Sequence, residues 1–258
     1  MSSIIDKILS EHDSGLSNEI GLFKKIRNQS DLQGNPQAIL DAIDDYGTSH
    51  RIINIGAHKG KLLTDHIKET EPEVIVEFGT HTGYSSILMA KQLDEIGSST
   101  SKIYTFEANE TMYELSKEIV KLSGLQHRIV QVLGKAGDKL DTLSSNFGVD
   151  RINLLFIDHW KFSYLPDLRV AETLGYITKG STLFADNIIY PGAPEYTKYV
   201  KAPPIYKNEY NTNNINPNGR NYVGKWNLLY ESETVESTNG VGRKDAVEIT
   251  KCVGILDS

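Results

Sequence analysis

The stretch "VIVEFGTHTGYSS" (residues 74–86) decides the fold. Its first five residues are a short run, rich in β-branched side chains and broken only by Glu77. Such a run, closed by a glycine, reads as a strand covered on both faces. Gly79 permits a sharp turn at the strand's end, and Gly83, four residues on, lets a helix start close to a ligand. The spacing is not G-x-G-x-x-G, and there is no P-loop lysine. A small adenosine-containing cofactor therefore fits this turn better than a dinucleotide.

Four more runs of the same kind follow: "IYTF" (103–106), "IVQVL" (129–133), "INLLFI" (152–157) and "TLFA" (182–185). The segments between them are long enough for helices. The clearest, 109–124, has Asn109 as its N-cap and Gly124 as its stop, and Met112, Leu115, Ile119 and Leu122 make one apolar stripe. Strands alternating with helices predict an α/β fold built on a doubly wound, mostly parallel sheet. Residues 1–70 read as an N-terminal helical region, in which "NPQAILDAIDDYG" opens on an Asn–Pro cap pair and turns Ile39, Ala42, Ile43 and Tyr46 to one face. Residues 71–258 carry the cofactor and catalytic sheet. Within them 201–224, rich in Asn, Pro and Gly, reads as an irregular excursion. "KWNLLYES" and "DAVEITKCVG" read as a closing β-hairpin. No repeat or linker interrupts the chain, so a single domain over 1–258 is expected.

Composition narrows the partners. The net charge is −7 and no Lys/Arg block stands out, which disfavours nucleic acid. No apolar run reaches the ~18–20 residues of a membrane helix, and the N-terminus has neither a secretory nor a transit pattern. The single cysteine, Cys252, rules out an intrachain disulfide and a thiolate metal site. The expectation is a cytoplasmic monomer with no membrane anchor, acting on a small molecule.

Ligands of a doubly wound sheet sit beyond the carboxyl ends of its strands. At the second strand's end stands Glu107, 28 residues after Gly79. A carboxylate there can accept both hydroxyls of a ribose, and it repels a 2′-phosphate. With the glycine turn it favours an adenosyl ligand. Two further strand ends are unusual. "FIDHWKF" (156–162) presents Asp158, His159, Trp160 and Lys161 together, and "LFADN" (183–187) presents Asp186 and Asn187.

Together "GNPQAILDAIDDY", "NIGAHKG", "VEFGTHTGYSS", "FIDHWKFSYLPD" and "LFADNIIYPGAPE" resemble the catechol O-methyltransferase family, which is magnesium-dependent and has the Rossmann-like class I S-adenosylmethionine fold. The likeness runs from about residue 34 to 200 and resumes weakly at 230–254. The resemblance implies two cofactors, S-adenosyl-L-methionine and Mg²⁺. Asn54 and Ile55 would meet the methionine end of the first, and Glu77, Gly79, Tyr84 and Ser85 would line its amino-acid portion. Glu107, with Ala108 beside it, would take the ribose. Ala136 stands where the family has a cofactor-contacting serine, and Asp158, His159 and Trp160 would border the adenosyl group. Asp158, Asp186 and Asn187 would be the metal ligands, and Lys161 the general base. Trp160, Lys161, Asn187 and Pro191 would contact a catechol. A late acid would hold its second hydroxyl: Glu231, Glu233 or Glu236, with Glu236 preferred once a short insertion is placed in "NGVGRK".

The residue types agree with that chemistry. Two carboxylates and an amide are an all-oxygen set, which suits a hard cation, and no His/Cys spacing suits zinc. A phenol ionises near pKa ~10 and lower when a metal stabilises the phenolate. A lysine beside a cation can accept its proton. The methyl then passes from sulfonium to oxygen by in-line attack, so alignment and close approach matter most. The bland readings are a solvated lysine at 161, a core indole at 160 and helix-capping acids at 158 and 186. Arg51 and Ile53 replace a family Trp and Met, and His81 replaces a Tyr. These alter the pocket walls, and Arg51 could favour an acidic ring substituent. The nearest rival is a cation-dependent enzyme of bulkier, caffeoyl-type phenols. A nicotinamide-dependent oxidoreductase and a non-catalytic adenosyl binder are more distant ones.

Overall fold

The computed structural model describes residues 4–10, 15–238 and 242–257. Among the described residues seven strands form one sheet: β1 Val74–Phe78, β2 Lys102–Glu107, β3 Ile129–Leu133, β4 Leu154–Ile157, β5 Thr182–Ala185, β6 Leu228–Thr238 and β7 Lys244–Ile255, in the order β3-β2-β1-β4-β5-β7-β6. The pairs β2/β3, β1/β4 and β4/β5 are parallel. β7 runs antiparallel to both β5 and β6, which closes the sheet with the expected hairpin. Every residue of β4 and β5 is buried, as continuous apolar strands covered on two faces must be. β4 starts two residues later than its apolar run, because the Ile152 amide donates to the Tyr176 carbonyl instead of the sheet.

The chain divides into two compact units, 1–71 with 80–134 and 72–79 with 135–258. The first holds β2, β3 and helices α1 Ile4–Ser10, α2 Ser17–Arg27, α3 Pro36–Gly47, α4 Ala57–Thr70, α5 Tyr84–Glu95 and α6 Glu110–Ser123. The caps explain where the helices begin. The Asn35 side chain accepts from the Ala38 amide and Pro36 takes the first turn of α3. Asn109 accepts from the Met112 amide, and Gly124, at φ +80°, stops α6. Met112, Leu115 and Ile119 are buried and Leu122 half-buried, so the stripe read from the sequence is the packed face.

The second unit holds β1, β4–β7 and helices α7 Ala136–Lys139, α8 Thr142–Phe147, α9 Tyr164–Thr173, α10 Pro194–Val200 and α11 Pro204–Asn213. α11 corrects the expectation of an irregular excursion over 201–224. Pro203 caps it and Pro204 opens it, a place where proline is preorganised. Its anchors are polar: Lys207 and Asn211 are buried. Lys207 Nζ donates to the Leu228 carbonyl and lies 4.2 Å from the Tyr230 ring centroid, and Asn211 Nδ2 donates to Tyr199 Oη at 3.1 Å. A search for an apolar stripe passes over a helix fastened this way. Residues 214–224 are irregular, as read.

Candidate active site

In the second unit, β4 and β5 pair Ile157 with Ala185, so Asp158 and Asp186 leave adjacent strands at one level. Gly79 makes this possible from the β1 side. Its φ is +97°, and a Cβ there would stand 2.9 Å from the Asp158 carbonyl oxygen. Any side chain would push the exit of β1 off the exit of β4.

The side chains converge on an ammonium. Lys161 Nζ donates to Asp158 Oδ1 at 3.0 Å, to Asn187 Oδ1 at 3.1 Å and to Tyr164 Oη. Tyr164 Oη donates in turn to the Asp186 carbonyl at 3.0 Å. Tyr164 is fully buried; burial first, then Asp158 and Asp186, pushes its pKa well up, so it stays a neutral phenol. Asp186 is buried and accepts from the Asn187 amide at 2.6 Å. Asn187 sits in the left-handed region, φ 54° and ψ 41°, which asparagine tolerates. Its Nδ2 donates to Asp245 Oδ2 at 2.8 Å.

His159 faces the other way. Its Nε2 pairs with Asp167 Oδ2 at 3.0 Å, and its ring stacks on Tyr164 with centroids 5.1 Å apart. Asp167 also accepts from the Gly137 amide and, at 2.6 Å, from Asn218 Nδ2 in the irregular stretch. Ala136 is buried at the start of α7 and Glu77 is buried within β1. Trp160 is 70% exposed and Phe162 81%, with ring centroids 5.6 Å apart. Trp160 is thus not a core indole. Pro191 is exposed in the turn after β5.

The first unit carries the other predicted residues. Glu107 Oε2 accepts from the His81 amide at 2.8 Å and Oε1 from the Asn109 amide at 2.9 Å, which fixes the carboxylate and leaves further lone pairs on each oxygen. Ala108 beside it is exposed. His81 Nε2 lies 3.3 Å from Glu19, whose pKa this hydrogen bond lowers. Asn54 and Tyr84 meet at Asp44: Asn54 Nδ2 donates at 3.0 Å and Tyr84 Oη at 2.9 Å. Burial, then Asp44, raises the Tyr84 pKa. Ile55 is buried and Ser85 half-buried. Gly83 holds φ +85°, a left-handed conformation that favours glycine, and caps the start of α5.

Glu231, Glu233 and Glu236 are all exposed on β6, and Glu236 forms an ion pair with Lys244 at 2.7 Å. Asn239, Gly240 and Val241, part of the stretch given the short insertion, lie outside the described residues. Sequence reasoning missed Tyr164, Asp245 and Asp44. Tyr164 stands three residues after Lys161, a spacing that shares one face and could have been noticed. Asp245 has no local signal, being 58 residues from Asn187.

Among the described residues no cluster of three His, Cys, Asp or Glu is placed to hold a metal. The expected set has two carboxylates and an amide, and two of its oxygens, Asp158 Oδ1 and Asn187 Oδ1, already point at one positive charge, that of Lys161. They fit a hard cation.

A family model described as O-methyltransferase matches residues 40–202. Catechol O-methyltransferase of Bos taurus is 34% identical over 174 residues, 67% of this chain and 62% of its own length. Catechol O-methyltransferase B of Danio rerio is 34% identical over 191 residues, 73% of this chain and 70% of its own. The match thus spans less than two thirds of the bovine relative. Among solved structures, an O-methyltransferase from Bacillus cereus in complex with S-adenosylhomocysteine has a TM-score of 0.59 at 17% identity, covering 84% of this chain and 90% of that one, which speaks for the fold.

Proposed function

This chain belongs to the O-methyltransferase family, and on that premise we propose that it transfers the methyl group of S-adenosylmethionine to one hydroxyl of a Mg²⁺-bound catechol. One observation carries the reading: Asp158 Oδ1 and Asn187 Oδ1 converge on Lys161 Nζ, at 3.0 and 3.1 Å. Asp158, Asp186 and Asn187 would hold the cation. When bound, it would supply Lewis-acid stabilisation of the developing phenolate. With a cation held by Asp158 Oδ1 and Asn187 Oδ1, Lys161 would give up one proton to solvent, and the neutral amine would then take the phenolic proton on Nζ, with Tyr164 Oη as its remaining partner. Tyr164, held neutral by burial, fixes the amine's position without competing for the proton. Trp160 and Phe162 offer an apolar wall to the ring. In the first unit, Glu107, oriented by two backbone amides, accepts the ribose hydroxyls of the cofactor.

A bulkier phenol of the caffeoyl type is the second reading. The exposure of Trp160 and Phe162 favours it, since an open apolar wall accommodates substituents on the ring.

The test is methyl transfer from S-adenosylmethionine across a panel of catechols and extended diphenols, with Mg²⁺ or with excess EDTA. Methylated catechol and S-adenosylhomocysteine should accumulate in Mg²⁺, stop in EDTA and resume on adding Mg²⁺ back. Full turnover in EDTA would remove the metal from the reading, and transfer to no diphenol would remove the substrate class.

A further inference from the structure

We infer that Asp245, a buried acid on β7, is a positioning residue that decides which end of the Asn187 carboxamide faces the cation site. This rests on the reading of Asn187 as a metal ligand. A carboxamide has two ends of similar size and opposite character: the oxygen can bind a cation and the NH₂ cannot. Nothing in the side chain's shape chooses between them.

Asp245 supplies the choice. It is fully buried, and Oδ2 stands 2.8 Å from Asn187 Nδ2. An ionised carboxylate only accepts hydrogen bonds. It therefore attracts the NH₂ and repels the oxygen, and Oδ1 is turned to the opposite side, where Lys161 Nζ lies at 3.1 Å. The other carboxylate oxygen, Oδ1, accepts from the Tyr190 amide at 3.0 Å and the Ile189 amide at 3.3 Å. Those bonds fix the acid against the turn that follows Asn187. The same contact keeps residue 187 in its left-handed conformation, because side chain and following turn are tied to one carboxylate.

The experiment is a titration of Mn²⁺ onto the full chain, read by the electron paramagnetic resonance of free Mn²⁺, with S-adenosylhomocysteine affinity measured in parallel by calorimetry. Asp245→Asn keeps the shape and the acceptor for the two amides, but it can donate to Asn187 Oδ1 and so let the carboxamide turn over. Its Mn²⁺ affinity should fall about 10–100-fold, the usual effect of losing a group that orients a metal ligand. Its S-adenosylhomocysteine affinity should stay within about twofold of wild type, which a general loosening of the fold would not allow. The double variant Asp245→Asn/Asn187→Asp swaps donor and acceptor across the pair. Both ends of residue 187 are then oxygen, so Mn²⁺ affinity should recover, even if Asp245→Asn alone folds poorly. Wild-type Mn²⁺ affinity in Asp245→Asn, or no recovery in a folded double variant, would overturn the role of Asp245. A wild-type chain that binds no Mn²⁺ would overturn the metal reading, and this inference with it.

Discussion

Lys161, the proposed base, gathers three polar neighbours on one atom. Asp158, Asn187 and Tyr164 all bind its Nζ, so its removal tests the proton-transfer step directly. Lys161→Met keeps the stem and loses the base. We expect kcat for a catechol to fall ~10²–10⁴-fold, with part of the loss returning at higher pH, where the phenol ionises unaided. Wild-type kcat in that variant at neutral pH would remove the base assignment and leave Lys161 as a structural partner of Asp158, Tyr164 and Asn187. Glu107 is tested by binding. Glu107→Ala should weaken S-adenosylhomocysteine by ~1.5–3 kcal/mol, the range for a charged hydrogen-bond partner, measured by calorimetry. Because Glu107 also orders two backbone amides, Glu107→Gln should lose less. Lys161 and Glu107 were legible as candidates because strand ends are where a parallel sheet presents its ligand groups. Asp245 and Asp44 were not, because their meaning lies in a partner brought near only by folding, and no spacing along the chain encodes it.

The same division holds for elements. β1, β3 and β5 have the bounds their apolar runs gave; in β1 and β5 two-sided burial leaves a continuous signature, while β3, at the end of the sheet, keeps the run although only its first residue is fully buried. α6 was legible from its caps and stripe together. α11 was hidden because it buries Lys207 and Asn211 where the usual pattern would place leucines. That arrangement predicts an unusual sensitivity. Lys207 Nζ donates to the Leu228 carbonyl, and the nearby, fully buried Glu172 accepts from Tyr230 Oη at 2.6 Å and Tyr199 Oη at 2.8 Å. Lys207→Met preserves the stem but leaves a carbonyl without this donor and takes from Glu172 a cation whose charge favours its ionised form. A loss of ~2–4 kcal/mol in urea unfolding is expected, within the range for breaking buried polar networks. A loss below ~0.5 kcal/mol would mean that the ammonium is not holding the helix.

For the whole molecule, charge and hydropathy disfavoured nucleic acid as a partner, and the glycine spacing favoured a small adenosyl cofactor over a dinucleotide. A thermal shift checks that choice. A ligand at 100 times its Kd stabilises the native state by ~2.7 kcal/mol, so S-adenosylhomocysteine should raise Tm by several degrees while NAD leaves it unchanged. Equal shifts would reopen the oxidoreductase reading. The number of compact units was beyond reach of the sequence, because the first eight residues of the second unit, 72–79, are threaded into the chain of the first with no change in composition to mark them. A last consequence concerns modularity. Asn218 holds Asp167, and Asp167 holds His159, so the 201–224 segment grips the strand-end cluster from outside. A segment tied in this way is no detachable cassette. Trimming it to build a minimal enzyme, or transplanting another relative's loop in its place, would carry the histidine's orientation away with it unless the graft brings an amide donor of its own.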